Sequence, residues 1–404
     1  MLKFPILLVL LSLLSYVRSI QHRRMSKSRR TLRAANRALE HLSFCCESTT
    51  CRERQFSDLL SGLWNFAALS QETAPKVYHR AIEIAEDCRI AQHLETKLMS
   101  IRKSCNHLTV DSCNIQRIVL EFQAMRWNIL PTNTLLTMSI NNKEQLNVTL
   151  FKILGRSGWS PQDVYSTRQD ENQHWMSIPS AAEVDQALVL GWAARRAGHS
   201  IDGWSDMNML MNHVNMFRPL YADHLPGYLP KHVQDIVHVG HVQNDGTIST
   251  EAKRDLVWMA MHVVYVVAEF GLWSASQGDV APEVEFLNGM ILHAIAEEDL
   301  DMLGELVDCL NLIEVDASTD RTVLLSNVPV GRAHLIQEQF SDGSFSTSDA
   351  SDHWHTTHVA GLALLPRPLR RPKGTLRDDV TQKSFWDIAE MVMPKSEVHS
   401  QQEL

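Results

Sequence analysis

Residues 251–273 read EAKRDLVWMAMHVVYVVAEFGLW, and this stretch decides the fold class. Its apolar residues recur at intervals of three and four positions, which is the period of an α-helix with one buried side. Gly271 predicts the end of the helix, because glycine readily takes the backbone conformation that closes one. The stretch therefore predicts a long, largely buried helix, and the same pattern recurs along the chain.

Strand-like alternation is nearly absent outside residues 135–155, so the predicted fold class is all-α. We predict an α/α array of antiparallel helices, which either closes into a toroid or stays open as a solenoid. Beyond residue 315 the sequence predicts more loop than helix, apart from its last two helices. The other predicted helices cover residues 26–44, 55–71, 75–91, 91–104, 112–127, 181–198, 206–222, 283–296, 300–313, 356–365 and 380–393.

The N-terminus carries a signal-like or targeting segment over residues 1–24. Its apolar run, residues 4–17, follows Lys3 and is shorter than a membrane span requires, and Ser19 suits cleavage. We expect a cleaved signal and a secretory or extracytoplasmic protein. Two alternatives stay open: an organelle transit peptide, and a cytoplasmic protein whose translation starts at Met25.

Three further regions follow the targeting segment. Residues 25–130 form an N-terminal helical region, residues 150–365 an α/α helical domain with a candidate pocket, and residues 366–404 a Pro/Arg linker and C-terminal tail. The N-terminal region holds a cluster of cysteines. Either these cysteines staple helices in an oxidising compartment or they are buried free thiols. The clustered cysteines are Cys45, Cys46, Cys51, Cys88, Cys105 and Cys113.

The charge of the chain argues against nucleic acid as a partner. The formal net charge is −9, yet residues 1–39 contain nine of the 38 Lys and Arg residues and no acid. The rest of the chain is therefore more acidic than the average suggests. Such a body repels phosphate backbones.

The helix quoted above also supplies the first candidate site. Trp258, His262, Tyr265 and Glu269 fall at positions i, i+4, i+7 and i+11, which places them on one face. Three polar groups on an apolar helix need partners, and a pocket is one place for them. We predict His262 and Glu269 as an acid–base pair, Tyr265 as a third catalytic residue and Trp258 as a substrate contact. The alternative is a core histidine bonded to a neighbour.

Two later segments supply further candidates. His355 and His358 share a helical face and are predicted to contact substrate, although metal ligands and a solvated cap are alternatives. Asp301, also a predicted substrate contact, belongs to an acidic cluster with Glu298, Glu305 and Asp308. That cluster suits acid–base chemistry or a cation, or forms a solvated junction that caps the helix after it. Phosphate-binding loops, a nucleophile elbow and the common zinc-protease motif are missing, so the sequence identifies no cofactor or metal.

The same three segments carry a resemblance to a known family. Met261-His262-Val263-Val264-Tyr265 through Glu269-Phe270-Gly271, then Glu298-Asp299-Leu300-Asp301 with Glu305-Leu306, then His355-Thr356-Thr357-His358-Val359 occur in that order. They resemble the T-H…D-F-G helix, the D-x-D-L…E-L helix and the H-T-T segment of an uncharacterised, mainly actinobacterial all-helical domain family. The resemblance covers about residues 160–365, with Met261 in place of Thr and Glu269 in place of Asp. It implies a toroid-like helical fold and no assigned reaction.

These observations together predict a helical protein with a pocket for a small molecule or peptide. Because the pocket brings His and Glu together, the predicted activity is that of a modifying or lyase-type enzyme. The alternative is a non-catalytic binding or scaffold protein whose polar stripes join helices. No stable membrane span is expected in the mature chain, and oxidised cysteines would favour a lumenal or secreted binding protein.

Overall fold

The fold is all-α, as the sequence predicts. The computed structural model describes residues 28–48, 56–104, 250–271, 273–315, 319–346 and 353–367, together with residues 181–182, 184–185, 188–189, 192, 211, 214–215 and 217–221. Within these residues 79% are helical and 2% are in strands. The predicted helices over 112–127 and 380–393, and the predicted strand region 135–155, lie outside the described residues.

The described residues between 28 and 104 form four helices. Residues 28–47 form α1, and three helices follow it: α2 (Phe56–Ser70), α3 (Pro75–Asp87) and α4 (Ile90–Ser104). Proline suits the first turn of α3, where its missing N–H has no acceptor to lose. Arg89 separates α3 from α4 with a left-handed backbone, φ 51°.

A disulfide joins the ends of two of these helices. Cys46, near the end of α1, is bonded to Cys88, directly after α3, with the two Cα atoms 5.1 Å apart. Cys45 is disulfide-bonded as well. Of the two alternatives for the clustered cysteines, disulfide bonding therefore applies to Cys45, Cys46 and Cys88. Cys309, outside that cluster, is a buried free thiol.

The quoted stretch forms α5 (Thr250–Val267), which is shorter than expected. Glu269, Phe270 and Gly271 all have left-handed backbones, with φ of 51°, 53° and 91°. This sharp turn ends the helix before Glu269, so the expected helical position of Glu269 is wrong. The chain then passes through β1 (Ala275–Ser276) and a 3₁₀ turn into α6 (Ala281–Ala296).

A tight joint connects α6 to α7 (Leu300–Asn311). Glu298 has a left-handed φ of 56°, and the Asp299 side chain accepts a hydrogen bond from the Met302 N–H. The predicted acidic cap of this helix is therefore confirmed. Directly after α7, β2 (Ile313–Glu314) pairs in parallel with β1, Ala275 opposite Ile313 and Ser276 opposite Glu314.

The region beyond residue 315 is more helical than predicted. It contains α8 (Arg321–Leu324) and α9 (Val328–Glu338) before α10 (His353–Ala363). The apolar residues of α9 include Val328 and Val330, two positions apart, which do not lie on one helical stripe, so periodicity does not reveal the helix. Helix α9 nevertheless packs on α6 and α7, where a Cβ on Gly331 would lie 2.7 Å from Val307 Cγ2.

Helix α10 is largely buried, because it packs against both α7 and α2. Small residues permit this approach: a Cβ on Gly304 of α7 would lie 2.8 Å from the Ala360 backbone nitrogen. Similarly, a Cβ on Gly361 would lie 2.8 Å from the ring of Phe66. Helices from the predicted regions 25–130 and 150–365 thus contribute to one hydrophobic core.

The helices of the described residues include none that combines the length and the apolar character needed to cross a membrane. Closure of the array into a toroid stays a prediction. Helix α7 lies at the centre of the described packing, because it contacts α5, α6, α9 and α10. The candidate residues on α5, α7 and α10 are therefore brought to adjoining elements.

Candidate functional site

Tyr265 connects α5 to α7 inside the protein. Its hydroxyl lies 3.2 Å from Asp308 Oδ2 and 3.3 Å from the Glu305 carbonyl oxygen, and it donates to these acceptors. Burial raises the pKa of Tyr265 well above its ordinary value, and the negative charges of Asp308 and Glu305 raise it further. Tyr265 therefore stays protonated and acts as a hydrogen-bond donor.

His262, one turn earlier on α5, pairs with Asp185 through its Nδ1 atom. Burial alone would lower the pKa of His262, but the hydrogen bond and charge of Asp185, with the charge of Glu305, raise it above its ordinary value. The side chains keep 21% and 16% of their surface exposed. The geometry is that of a histidine oriented and charged by a carboxylate.

Glu269 is not the partner of His262. Its carboxylate accepts a hydrogen bond from Trp192 Nε1 at 2.6 Å, and the Trp192 ring packs on Phe270 with the ring centroids 4.3 Å apart. The left-handed turn that ends α5 directs Glu269 to this contact. The predicted contact of His262 with Glu269 is therefore not formed, and the carboxylate that pairs with His262 is that of Asp185.

The acidic helix α7 and the histidine helix α10 meet as a second pair. His355 Nε2 lies 3.2 Å from Glu305 Oε1 and 3.9 Å from Asp301 Oδ1. Thr356 donates a hydrogen bond to Asp301 Oδ1 at 3.0 Å. Burial raises the pKa of Asp301 to about 6, although the charge of His355 opposes this shift. A carboxyl group that titrates near neutral pH can give or take a proton under ordinary conditions.

Glu305 links the two pairs. It contacts His355 directly, and its charge acts on His262, Tyr265 and Asp301. We use the name acid–base cluster for the residues that this carboxylate connects. They are Asp185, His262, Tyr265, Asp301, Glu305, Asp308, His355 and Thr356.

The cluster is more buried than the solvated junction that the sequence allowed. Only 10% of the Glu305 side chain and 21% of the Asp301 side chain are exposed, whereas His355 keeps 33%. Glu298 does not join them, because it lies in the turn before α7 and is exposed. The carboxylates of Glu305 and Asp301 thus form the more buried side of the cluster, and His355 is its more exposed member.

Two predicted substrate contacts lie at the edge of the cluster. The Trp258 ring is half-buried, and its centroid lies 6.4 Å from that of His262. The His358 ring lies 6.1 Å from the His355 ring and packs against α2, where a Cβ on Gly62 would be 3.1 Å from His358 Cδ2. His358 therefore belongs to the contact between α10 and α2.

Several cluster residues were not predicted as site residues. Asp185 comes from a different helical segment, and no local pattern shows which side chain it meets. The sequence places Glu305 and Asp308 on the same helical face as Asp301, and this i, i+4, i+7 spacing is the available signal for them. Among the described residues no three His, Cys, Asp or Glu side chains are arranged to hold a metal ion.

A separate cleft of about 550 Å³ lies along one face of α6. Its walls include Arg218, Lys253 and the ring of Phe286, which stacks on Tyr221 with the ring centroids 4.5 Å apart. None of the predicted site residues lines this cleft. The candidate chemistry and this cleft are thus on different parts of the described surface.

The three segments that carry the family resemblance are the elements of the acid–base cluster, since they fall on α5 and its end, on α7 and on α10. The resemblance thus concerns residues that meet in space. Comparison of the chain with protein-family models, with curated proteins and with solved structures finds no match.

Proposed function

We propose that this protein binds a small molecule or peptide at the acid–base cluster and modifies it by general acid–base catalysis, as a modifying or lyase-type enzyme. The observation that carries the proposal is the pair of partly exposed histidine–carboxylate contacts, His262 with Asp185 and His355 with Glu305, joined through the charge of Glu305. Connected titratable groups with shifted pKa values are typical of catalytic sites.

The chemistry follows from the protonation states. His262, with its raised pKa, is the group suited to donate a proton. Asp301, with a pKa of about 6, is suited to accept one once it is ionised. Tyr265 stays protonated and orients Asp308. A proton donor and a proton acceptor on adjoining helices are what an elimination or an addition to a polarised bond requires.

The alternative is a non-catalytic binding or scaffold protein. One observation favours it: Tyr265, His262 and Glu269 each find a hydrogen-bond partner on another segment. In that case the polar groups serve to align the helices. The family resemblance supports the toroid-like domain but does not distinguish these functions.

We also propose a secretory or extracytoplasmic location, with organelle targeting and a cytoplasmic start at Met25 as the alternatives. The support is the disulfide between Cys46 and Cys88, because disulfides persist in oxidising compartments.

The test is a thermal-shift screen of small molecules and short peptides on three proteins. They are the wild type, His355→Gln and, as a control, Glu83→Gln, which changes an exposed side chain on α3. We expect one chemical class to raise the melting temperature of the wild type and the control but not of His355→Gln. If no class does so, or if His355→Gln responds like the wild type, the cluster is not the binding site.

A further inference from the structure

Two arginines from separate elements pair with residues in the last turn of α7. Arg367, four residues after the end of α10, pairs with Asp308 through its Nη2 atom. Arg332 of α9 donates to the side-chain oxygen of Asn311. Only 4% of the Arg367 side chain and 8% of the Asp308 side chain are exposed, so this charge is held inside the protein.

These guanidinium groups keep donors that have no acceptor. Three of their nitrogen atoms are buried and make no hydrogen bond: Nε and Nη1 of Arg367 and Nε of Arg332. A buried donor without an acceptor is costly, and a charged donor more so. Native proteins retain such groups rarely, and an anion that accepts from them would compensate the cost.

The charges around the two arginines do not balance. Asp308 is the carboxylate that faces Arg367, whereas the partner of Arg332 is the neutral Asn311. Burial lowers the pKa of Arg332, the positive charges of Arg367 and Arg321 lower it further, and Asp308 opposes them. Among the described residues, the two guanidinium groups thus share one paired carboxylate, that of Asp308.

The surroundings of Arg367 favour a strong interaction with an anion. A Cβ added at Gly271 would lie 3.8 Å from Arg367 Nη1 and would also contact the side chains of Leu69 and Leu312. Electrostatic attraction is stronger among apolar side chains than in water. The planar guanidinium fork also matches the oxygens of a phosphate or a carboxylate.

We propose that Arg332 and Arg367 form a binding site for a small oxyanion, either a free phosphate or the carboxylate of an organic molecule. The site shares Asp308 with the acid–base cluster but does not rest on the proposed function, because it requires no proton transfer. It assigns a role to Arg367, which lies at the start of the predicted C-terminal linker.

The experiment measures the melting temperature of the full chain in a zwitterionic buffer with added inorganic phosphate, acetate or chloride at matched ionic strength. Phosphate at about a hundredfold excess over its Kd is expected to raise the melting temperature of the wild type by about 5 °C. A matching shift with acetate identifies a carboxylate site, and a shift with phosphate alone identifies a phosphate site. An equal shift with chloride, or no shift, overturns the proposal.

Variants locate the effect. Arg332→Met removes one uncompensated charge and is expected to lose the phosphate shift, whereas Arg80→Met, which removes a half-exposed arginine paired with Glu40, keeps it. Asn311→Asp supplies Arg332 with an internal carboxylate, so we expect this variant to lose the shift as well, which covers the case that Arg332→Met fails to fold. A full phosphate shift in either folded variant overturns the assignment.

Discussion

At the residue scale, Glu305 is central to the site, because its carboxylate contacts His355 and its charge raises the pKa values of His262 and Asp301. The surrounding carboxylates are buried, which is unfavourable for their ionised form. A fold selected only for stability has no need to keep several acids together in this way. The cost in stability is what a functional site is expected to show.

Asp301 provides a test of that cost. In the folded protein its pKa is about 6, against an ordinary value of 3.8, so the folded state holds the proton to higher pH. The free energy of unfolding of the wild type therefore falls as pH rises from 3.8 to about 6. Asp301→Asn lacks this loss and is expected to be about 1–3 kcal/mol more stable than the wild type at pH 7.

Urea denaturation at pH 4 and pH 7 measures the difference. Asp320→Asn is the matched control with the opposite sign, because hydrogen bonds from Thr322 lower the pKa of Asp320, which caps α8. That variant is expected to be less stable than the wild type at pH 7. If Asp301→Asn is no more stable than the wild type at pH 7, the buried, ionised carboxylate of Asp301 does not lower the free energy of unfolding.

His262 provides a second test at this scale. Its pKa is raised above 6.5 in the folded protein, mainly because the Asp185 contact outweighs burial. The stabilising contribution of this pair is therefore complete below pH 6.5 and lost as pH rises through the pKa of the folded state. NMR titration of the histidine rings is expected to show His262 above 6.5 in the wild type and lowered in Asp185→Asn. An unchanged value in the variant would show that Asp185 does not charge the ring.

At the element scale, α1 and the start of α10 are joined by two histidines. His41 Nε2 lies 2.8 Å from His353 Nε2, and His353 Nδ1 lies 2.8 Å from the Ser346 carbonyl oxygen. Because a carbonyl only accepts, His353 carries its proton on Nδ1, and His41 donates from Nε2. If both rings were protonated, two N–H groups would face each other at the Nε2 atoms.

The joint is therefore sensitive to acid. Burial lowers the pKa of His41, His353 lowers it further, and Asp342, 3.6 Å from its Nδ1, opposes them. The stability contributed by neutral His41 is complete above pH 6.5 and lost as pH falls through the lower pKa of the folded state. His41→Phe keeps an aromatic ring beside Trp354 and is expected to lose this dependence.

The measurement is the melting temperature at pH 5 and pH 7.5 for the wild type, for His41→Phe and for His79→Phe, which replaces an exposed histidine on α3. We expect the wild type and the control to lose more stability in acid than His41→Phe. Equal acid sensitivity in all three would contradict the protonation states assigned to the joint.

The disulfide between Cys46 and Cys88 holds α1 against α3 across 42 residues of chain. By the loop-closure relation, a crosslink over that length stabilises a fold by about 4 kcal/mol. The double variant Cys46→Ser/Cys88→Ser is therefore expected to lose most of this free energy of unfolding, measured by urea denaturation without reductant. A loss below about 1 kcal/mol would show that packing alone holds the two helices together.

Helix positions could be predicted from the sequence where local signals were strong. The predicted helices over 283–296 and 300–313 correspond to α6 and α7, because caps and apolar periodicity are local properties. Helix α9 was missed because its apolar residues do not form one stripe. The end of α5 was placed too late, because three successive left-handed residues begin at Glu269 rather than at Gly271.

At the scale of the whole molecule, the site depends on contacts between distant segments. His262, Tyr265, His355 and Asp301 could be chosen from their spacing, but Asp185 and Arg367 could not, because each comes from a segment with no local signal of its partner. Packing of α7 against α5 and α10 decides which polar groups meet. That information lies in tertiary structure, which periodicity does not describe.

The most direct test of the account is the turnover, followed by proton NMR, of a compound that the ligand screen identifies. We expect the wild type and Glu83→Gln to convert the compound. Asp185→Asn is expected to bind it still but to convert it at least about a hundredfold more slowly. Equal conversion rates in the wild type and Asp185→Asn would contradict the acid–base assignment. A compound that binds and is never converted would contradict it as well, and would favour the non-catalytic binding protein.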